Sequence, residues 1–243
     1  MDIGTEFFAQ TKQAAQGSTG KQQGLPQPPL EEPWDAANMI ALPAPSVAQQ
    51  GPVNFRALAE RRRSVRTYRP EPLALADLAY LLWCTQGVQQ LMPGVKTVRT
   101  VPSAGGCHAF ETYLLANAVV GLEPGLYRYA ASAHSLVEHT KNQDVVAALV
   151  EAFRNIQLVQ HSAVVALWVA VAQRQSWRFG ARGYRYLLLD AGHVCQNWYL
   201  AAESINCGAC ALGSFDDDGV NTAMGFDGVE RFIVYAATAG KKC

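Results

Sequence analysis

The sequence predicts an α+β fold in which a mixed central sheet is flanked by helices. Helical and strand-like segments alternate along the chain without the regular spacing of β-α-β units. Residues 163–172 form the longest apolar run, and their valine content is typical of a central strand buried on both faces. Residues 184–205 form the longest helical pattern and carry apolar side chains on more than one face. We therefore expect a long buried helix at the centre of the fold or at a dimer interface.

The composition indicates one sizeable globular domain. The chain has 243 residues, of which 49% are hydrophobic and 16% are charged, and this balance excludes global disorder. The formal net charge is zero, whereas general nucleic-acid-binding proteins carry a clear positive excess. The longest apolar run is too short to cross a bilayer. We therefore expect neither a nucleic-acid nor a membrane partner.

The amino-terminal part of the chain has the composition of a linker. Residues 11–33 are rich in Gln, Gly and Pro, and Pro43, Pro45 and Pro52 continue an extended path. We predict a flexible arm over residues 1–52, of which the first seven could remain from expression, and a folded domain over residues 53–243. Residues 1–16 lack the apolar segment of a signal peptide. The cytoplasm is the expected compartment, and the periplasm is the alternative if a native signal peptide was removed.

The first half of the predicted domain contains two helices and two loops. Residues 55–60 and 73–87 have helical spacing, and Gly87 is a stop signal for the second helix. Residues 89–100, with Pro93 and Gly94, are predicted to be a loop. Residues 101–106 contain a proline and paired glycines, so they form a tight loop whose backbone can approach a flat ligand.

The second half supplies most of the predicted sheet. The expected elements are a strand at 110–119, a hairpin of 125–129 and 135–139, a helix at 143–153, the strand at 163–172, the helix at 184–205, a loop or strand at 208–215, and a last strand at 231–238.

A run of arginines begins at the end of the first helix of the domain. Arg62, Arg63 and Arg66 surround Ser64, and guanidinium groups form paired, charge-assisted hydrogen bonds with phosphate oxygens. A solvated basic helix end is the alternative interpretation. Because the net charge of the chain is zero, a small anionic ligand fits this local cluster better than a polyanion does.

The ligand that these stretches favour is a planar cofactor with a phosphate. The sequence has no G-x-G-x-x-G that opens a helix after a strand, no Walker loop and no G-x-S-x-G elbow, which argues against a Rossmann-type dinucleotide site. Residues 62–66 and 240–242 offer positive charge, whereas residues 102–106 and 208–213 offer exposed backbone.

The cysteines do not indicate a disulfide scaffold in a chain of this length. Cys207 and Cys210 form a C-x-x-C, which is either a redox pair, half of a zinc site with His193 and Cys195, or two small buried loop residues. The last interpretation is favoured because the motif follows a long helix late in the chain. No metal site is predicted.

Six motifs in order resemble the nitroreductase superfamily of FMN flavoproteins, and in particular its SagB-type dehydrogenase branch. The resemblance covers residues 53–242, and the motifs are Arg62-Arg63-Ser64-Val65-Arg66, residues 81–88 (LLWCTQGV), 99–106 (RTVPSAGG), 125–129 (GLYRY), 190–197 (DAGHVCQN) and 213–217 (GSFDD).

The resemblance implies a nitroreductase-like fold and a homodimer with FMN in a cleft shared by both subunits. It assigns binding of the FMN phosphate to Arg62, Arg63, Ser64 and Arg66, with Lys241 or Lys242 as a further phosphate-binding residue. It sets a second group of residues against the isoalloxazine ring: Pro102, Ser103, Ala104 and Gly105. Backbone near the reactive edge of the ring is implied for a third group: Cys210, Ala211 and Leu212. His108 and Tyr184 are weak catalytic candidates, for which structural roles are the alternative.

The implied activity is that of an FMN-dependent NAD(P)H oxidoreductase. Hydride passes from NADH or NADPH to the flavin and then to a nitroaromatic, quinone or similar planar acceptor, with ping-pong kinetics. The alternatives are a SagB-type azoline dehydrogenase acting on peptides and a non-catalytic FMN carrier or sensor. In azoline dehydrogenases a Lys-Tyr pair precedes the long helix, and here Arg178 and Phe179 stand there. Because Arg is a poor base and Phe has no hydroxyl, we favour the generic reductase.

Overall fold

The computed structural model describes residues 2–45 and 53–243. The helices are α1 (Ile3–Gln10), α2 (Phe55–Arg61), α3 (Leu75–Gln86), α4 (Gln143–Glu151), α5 (Ile156–His161), α6 (Ala172–Phe179), α7 (Arg182–Ser204) and α8 (Asp217–Met224). The strands are β1 (Met39–Ala41), β2 (Val88–Met92), β3 (Lys96–Arg99), β4 (Phe110–Ala116), β5 (Gly125–Ala130), β6 (Ser135–Thr140), β7 (Val164–Val171), β8 (Cys207–Leu212) and β9 (Arg231–Lys241).

A seven-stranded sheet in the order β1-β6-β5-β4-β7-β9-β8 organises the molecule. Each ladder between these strands is antiparallel. The parallel part of the predicted mixed sheet is limited to isolated bridges, one of which joins Ser64 to Ala209 at the β8 edge. The edge strand β8 therefore offers a free side to the segment that contains the arginines.

β7 lies near the middle of the sheet because its apolar residues supply both faces. Ala166 and Trp168 pack into the core layer that contains α3 and α7. Leu167 and Val169 pack into the layer that contains α4 and α8. This confirms the prediction of a central strand with two buried faces.

The prediction for residues 89–100 was wrong. These residues form most of a two-stranded antiparallel hairpin, β2–β3, in which Met92 pairs with Lys96 across Pro93 and Gly94. Two polar residues, Gln89 and Gln90, are exposed on β2, so the strand lacks the apolar alternation by which a sequence pattern is recognised.

The helix α7 is buried on one side and open on the other. Trp198 and Leu187 are buried against the sheet, whereas 58% of Leu188 and 55% of Leu189 are exposed. Within the single chain α7 is therefore not buried all round, which corrects that part of the prediction. In the described part of the chain, no helix combines the length and apolar character that crossing a bilayer demands.

The predicted arm lies against the domain over much of its described length. β1 pairs with β6, and Trp177 Nε1 donates a hydrogen bond to the carbonyl of Leu25 at 2.9 Å. Arg128 Nη2 donates to the carbonyl of Pro33 at 2.7 Å. The boundary at residue 53 stays a prediction, and residues 46–52 with Pro52 lie outside the described residues.

Candidate cofactor site

Backbone hydrogen bonds hold the arginine stretch along the edge strand β8. The amide of Val65 donates to the carbonyl of Ala209 at 2.9 Å, and the amide of Arg69 donates to the carbonyl of Lys241 at 3.0 Å. A Cβ at Gly208 would lie 2.7 Å from the Cβ of Val65, so this close approach requires glycine. The motifs at 62–66 and 208–213, remote in sequence, are therefore neighbours.

The guanidinium groups of this stretch have no carboxylate partner in the part of the chain that the structure describes. Among the described residues, Arg62, Arg63 and Arg66 form no ion pair. Arg63 Nη1 donates to the carbonyls of Glu60 and Arg62, both at 2.8 Å. Unpaired guanidinium groups at a partly open surface retain donors for an anion.

Tyr199 of α7 joins the arginine stretch to β8. Its hydroxyl lies 3.0 Å from Ser64 Oγ and accepts a hydrogen bond from the amide of Ala211 at 2.7 Å. The guanidinium carbon of Arg62 lies 5.3 Å from the centre of the Tyr199 ring. Sequence reasoning missed Tyr199, because one aromatic residue in an apolar helix has no pattern that distinguishes it from core.

The predicted residues of β8 are close to the same place. Burial raises the pKa of the Cys210 thiol, and the positive charge of Arg66 opposes the rise. Leu212 is buried, and Ala211 is partly exposed. Because the Ala211 amide is already donated to Tyr199, its contact with a ligand would come through other atoms.

The two lysines at the end of β9 are held by carboxylates. Lys241 Nζ lies 2.7 Å from Asp77 Oδ2, and Lys242 Nζ lies 2.6 Å from Glu203 Oε2. Burial by itself lowers the pKa of Lys241, but the hydrogen bond to Asp77 and the neighbouring Cys207 outweigh it, so the pKa is raised. A phosphate bound by these lysines would compete with the carboxylates, which makes the arginines the freer cations.

The loop at 102–106 is attached to another part of α7. Ser103 Oγ donates to Asp190 Oδ2 at 2.7 Å, and the amide of Ala104 donates to Asp190 Oδ1 at 3.1 Å. Asp190 is buried, which raises the pKa of its carboxyl, while the hydrogen bonds from Ser103 and Ala104 oppose the rise. Asp190 thus fixes the loop and leaves Pro102 exposed. Its position in a helical motif gave no indication of this role.

Gly105 gives the loop its turn. Its φ is +63°, which favours glycine, and a Cβ there would lie 2.6 Å from Arg178 Nε and 2.7 Å from Phe179 Cζ. The backbone of Gly105 therefore packs directly against Arg178 and Phe179, which leave no room for a side chain.

The two parts of the candidate site lie on opposite sides of α7. Asp190 and Tyr199 are both in this helix. At ~1.5 Å and ~100° per residue, their positions differ by about 13 Å along the axis and about 180° around it. The sequence motifs are therefore brought together in two groups, not in one.

The weak catalytic candidates are outside the arginine group. Burial, together with Arg99, lowers the pKa of His108 to about 3, and its backbone amide donates to Ser103 Oγ at 2.9 Å. Tyr184 is exposed and its ring stacks on Phe232 at a centroid distance of 6.4 Å. Both contacts are compatible with structural roles, and a catalytic role stays a prediction.

The C-x-x-C is neither a redox pair nor a metal site in this geometry. Cys207 and Cys210 lie in β8, not in a loop, and three positions along a strand separate them onto opposite faces. Cys207 packs with the α7 layer and Cys210 with the α8 layer. Among residues 2–45 and 53–243, no group of three His, Cys, Asp or Glu residues is arranged to hold a metal ion.

Known proteins share both the sequence and the fold. The model of the nitroreductase family matches residues 59–241. A protein of Methanocaldococcus jannaschii whose name classes it as a nitroreductase is 35% identical over 168 residues, which is 68% of this chain and 80% of that protein.

Two solved structures extend the comparison. A protein of Anabaena variabilis described as a nitroreductase has a TM-score of 0.68 and 27% identity over 84% of this chain, and this chain covers only 42% of its length. A Desulfovibrio desulfuricans protein solved in complex with FMN has a TM-score of 0.56 and 16% identity, over 79% of this chain and 88% of that one. The fold predicted from the resemblance is confirmed. The chain belongs to the nitroreductase family and is an oxidoreductase of that family.

Proposed function

We propose that this chain is an FMN-dependent oxidoreductase that takes hydride from NADH or NADPH. It passes the electrons to a nitroaromatic, quinone or similar planar acceptor by a ping-pong mechanism. The observation that carries this proposal is that Arg62, Arg63 and Arg66, held beside the edge strand β8 by backbone hydrogen bonds, form no ion pair with any described residue. The FMN complex of the Desulfovibrio protein with the same fold supports the choice of cofactor.

The residues present fit a phosphate-bearing ligand. Arg62, Arg66 and the Ser64 hydroxyl supply donors of the kind that hold phosphate oxygens. Tyr199 keeps Ser64 in place through their 3.0 Å contact, so the hydroxyl is preorganised. We assign Arg63 to the same grip and give Lys241 and Lys242 a supporting role, because each already has a carboxylate partner.

The loop of Pro102, Ser103, Ala104 and Gly105 would cover the ring of the cofactor. Asp190 holds this loop, so its bare backbone can contact a flat ring without rearrangement. Cys210, Ala211 and Leu212 would lie near the reactive edge. Bound FMN would supply the hydride chemistry, and the protein would supply orientation and electrostatics.

The separation between the loop 102–106 and the arginine stretch supports a homodimer. Within one chain the loop and the arginines flank opposite faces of α7, so a single subunit does not close a site around one ring. The exposed Leu188 and Leu189 make the outer face of α7 apolar, as at a subunit contact. We propose that a second copy packs on this face and sets its loop opposite the arginines.

An FMN titration tests the cofactor assignment. We expect the purified protein to be yellow or to bind added FMN, with quenching of flavin fluorescence. Arg62→Gln should weaken this binding about tenfold or more, since it removes charge-assisted hydrogen bonds. Arg56→Gln is the matched control, because Arg56 lies on α2 and is paired with Glu60 at 2.8 Å. A colourless protein without FMN binding would contradict the proposal.

Anaerobic reduction separates an enzyme from a carrier. Loss of the oxidised flavin spectrum on addition of NADH or NADPH, followed by reoxidation with an acceptor such as a quinone, is the expected result. A protein that binds FMN but is reduced by neither nucleotide would be the carrier or sensor. Arg178 and Phe179 replace the Lys-Tyr pair of azoline dehydrogenases, which is why a generic reductase of the SagB-type branch is favoured over peptide dehydrogenation.

A further inference from the structure

A cavity lies beside the glycine loop, residues 102–106, and is lined by Gly105, Gly106 and the neighbouring Cys107. It has a volume of about 340 Å³ and is enclosed by the amino-terminal arm, the β2–β3 hairpin, the loop and α6. Ligand pockets range from ~300 to ~1,000 Å³, so this one suits a small molecule. Of the residues that line it, the family resemblance assigned only Gly105 to the cofactor.

The side chains that line this cavity carry positive charge and no carboxylate. Its four cations are Lys21 of the arm, Lys96 of the hairpin, and Arg174 and Arg178 of α6. Within the described residues, Lys21, Lys96 and Arg178 form no ion pair. Three unpaired cations around one opening favour an anionic occupant, although the whole chain has no net charge.

The fourth cation has an unused donor. Arg174 is only 4% exposed, with Nε donating to the carbonyl of Pro29 at 2.7 Å and Nη2 to Glu111 Oε1 at 2.6 Å. Its Nη1 is buried without a hydrogen-bond partner. Because Nη1 is inaccessible to solvent, this donor does not open into the cavity, and Arg174 contributes its positive charge to the cavity wall.

The remaining walls suit the body of an organic molecule. Pro28, Pro29 and Trp177 supply apolar and aromatic surface, and Gly106 supplies backbone. Cys107 also lines the cavity, and burial raises the pKa of its thiol to about 11, against the influence of Arg178 and Lys21. The thiol is therefore neutral and does not repel an anion.

We propose that this cavity binds a small organic anion, in which a planar or aliphatic body carries one carboxylate or phosphate group. The anionic group would lie among Lys21, Lys96 and Arg178, with Arg174 behind it, and the body would lie against Trp177. Gly105 lines the cavity and also belongs to the loop assigned to the flavin ring. The occupant would therefore lie near the flavin and act as an anionic electron acceptor. Only this acceptor role rests on the proposed function; the binding itself does not.

Calorimetric titration of the full-length protein tests the proposal. The probes are 4-nitrobenzoate and phenyl phosphate, which distinguish the two anionic groups, and 4-nitrobenzamide as a neutral analogue. We expect at least one anion to bind saturably, about tenfold or more tightly than the amide, and inorganic phosphate to compete. Equal affinity for acid and amide, or no saturable binding of either anion at millimolar concentration, would overturn the proposal.

Two sets of variants localise the binding. Arg178→Gln and the double variant Lys21→Gln, Lys96→Gln should each weaken anion binding, the former about tenfold. Lys21 and Lys96 are exposed, so the double variant should fold even if Arg178→Gln disturbs the loop. Arg154→Gln removes an exposed arginine that does not line the cavity and should leave the affinity unchanged. Unchanged affinity in both cavity variants would overturn the assignment.

The same titration is run with and without added FMN. Anion binding in both states supports the cavity even if FMN is not the cofactor, and loss of FMN binding with intact anion binding would reject only the proposed function. With FMN bound, reduction rates of 4-nitrobenzoate and 4-nitrobenzamide then show whether the occupant is an acceptor.

Discussion

Two groups of arginines in this protein serve different purposes. Arg128 and Arg174 are 7% and 4% exposed and share the carboxylate of Glu111, at 3.2 Å and 2.6 Å. Arg62 and Arg66 lie beside an edge strand and have no carboxylate among the described residues. The first group is bound by acceptors of the protein itself, whereas the second forms no ion pair within residues 2–45 and 53–243.

The burial of Arg128 and Arg174 explains why the amino-terminal arm is attached to the domain. A buried guanidinium group is costly unless its donors find acceptors. Glu111 satisfies part of this need, and the carbonyls of Pro29, Glu32 and Pro33 in the arm accept further hydrogen bonds. Glu32 also lies 2.6 Å from Arg231. The arm thus supplies the acceptors that the buried arginines lack in the rest of the domain.

Removing the shared carboxylate should produce the largest effect. Glu111→Gln removes the ion pair of Arg128 and the shorter ion pair of Arg174, which keeps only Glu32 at 3.9 Å, so we expect the free energy of unfolding to fall by about 3–5 kcal/mol. Urea denaturation at neutral pH measures it. Glu71→Gln is the control, because Glu71 is exposed and lies 3.7 Å from Arg69, where a change below about 1 kcal/mol is expected. A similar small change at Glu111 would remove the contrast between the two groups.

The elements with strong local patterns could be predicted from sequence. α2, α3, β7 and the β5–β6 hairpin begin and end close to the expected residues, since apolar periodicity and Gly87 define them locally. The β2–β3 hairpin was missed because its strand has a polar, exposed face. The contacts of the arm were missed because they depend on buried arginines that are remote in sequence.

The candidate site was predictable in part for the same reason. The arginine run and the glycine loop are local motifs, and both occupy positions at the surface. Tyr199 and Asp190 attach these motifs to α7. Their roles depend on tertiary contacts, which the periodicity of a helix does not predict. The exposed Leu188 could not be distinguished from a core residue, because apolar spacing is the same for a core and for a subunit interface.

The burial of His108 next to the loop 102–106 should make the free energy of unfolding depend on pH. Burial and the neighbouring Arg99 lower the pKa of His108 to about 3, whereas the unfolded chain takes up the proton near pH 6.5. The stability that neutral His108 contributes is thus present above pH 6.5 and is lost as the pH falls toward 3. Between pH 6.5 and 4.5 this loss is about 2–3 kcal/mol.

His108→Gln should therefore make the free energy of unfolding less sensitive to acid over that interval, as measured by urea denaturation at each pH. His161→Gln is the control, since His161 is exposed on α5. An unchanged acid dependence in His108→Gln would show that other groups dominate.

The free arginines should affect ligand binding and leave stability nearly unchanged. Arg66→Gln removes a charge without breaking an ion pair, so we expect the free energy of unfolding to change by less than about 0.5 kcal/mol. The dissociation constant for FMN should rise by about tenfold, as the loss of about 1.5 kcal/mol of charge-assisted hydrogen bonding implies. Fluorescence titration and urea denaturation measure the two quantities. Arg69→Gln, on the same segment but facing Glu71, should change neither; a destabilised Arg66→Gln would place Arg66 with the structural arginines.

Tyr199 contacts both Arg62 and Ser64, and its substitution should have the smallest effect on FMN binding. Tyr199→Phe keeps the ring beneath Arg62 but removes the hydroxyl that contacts Ser64 and the Ala211 amide. We expect a loss of about 1 kcal/mol in the free energy of unfolding, the usual contribution of a hydrogen bond. FMN binding should weaken by only a few-fold, because the guanidinium groups remain. Tyr184→Phe is a matched control, since the Tyr184 hydroxyl is on an exposed side chain of the same helix. If Tyr199→Phe instead weakened FMN binding as strongly as Arg66→Gln, the phosphate grip would depend on the position of Ser64 more than on unpaired charge.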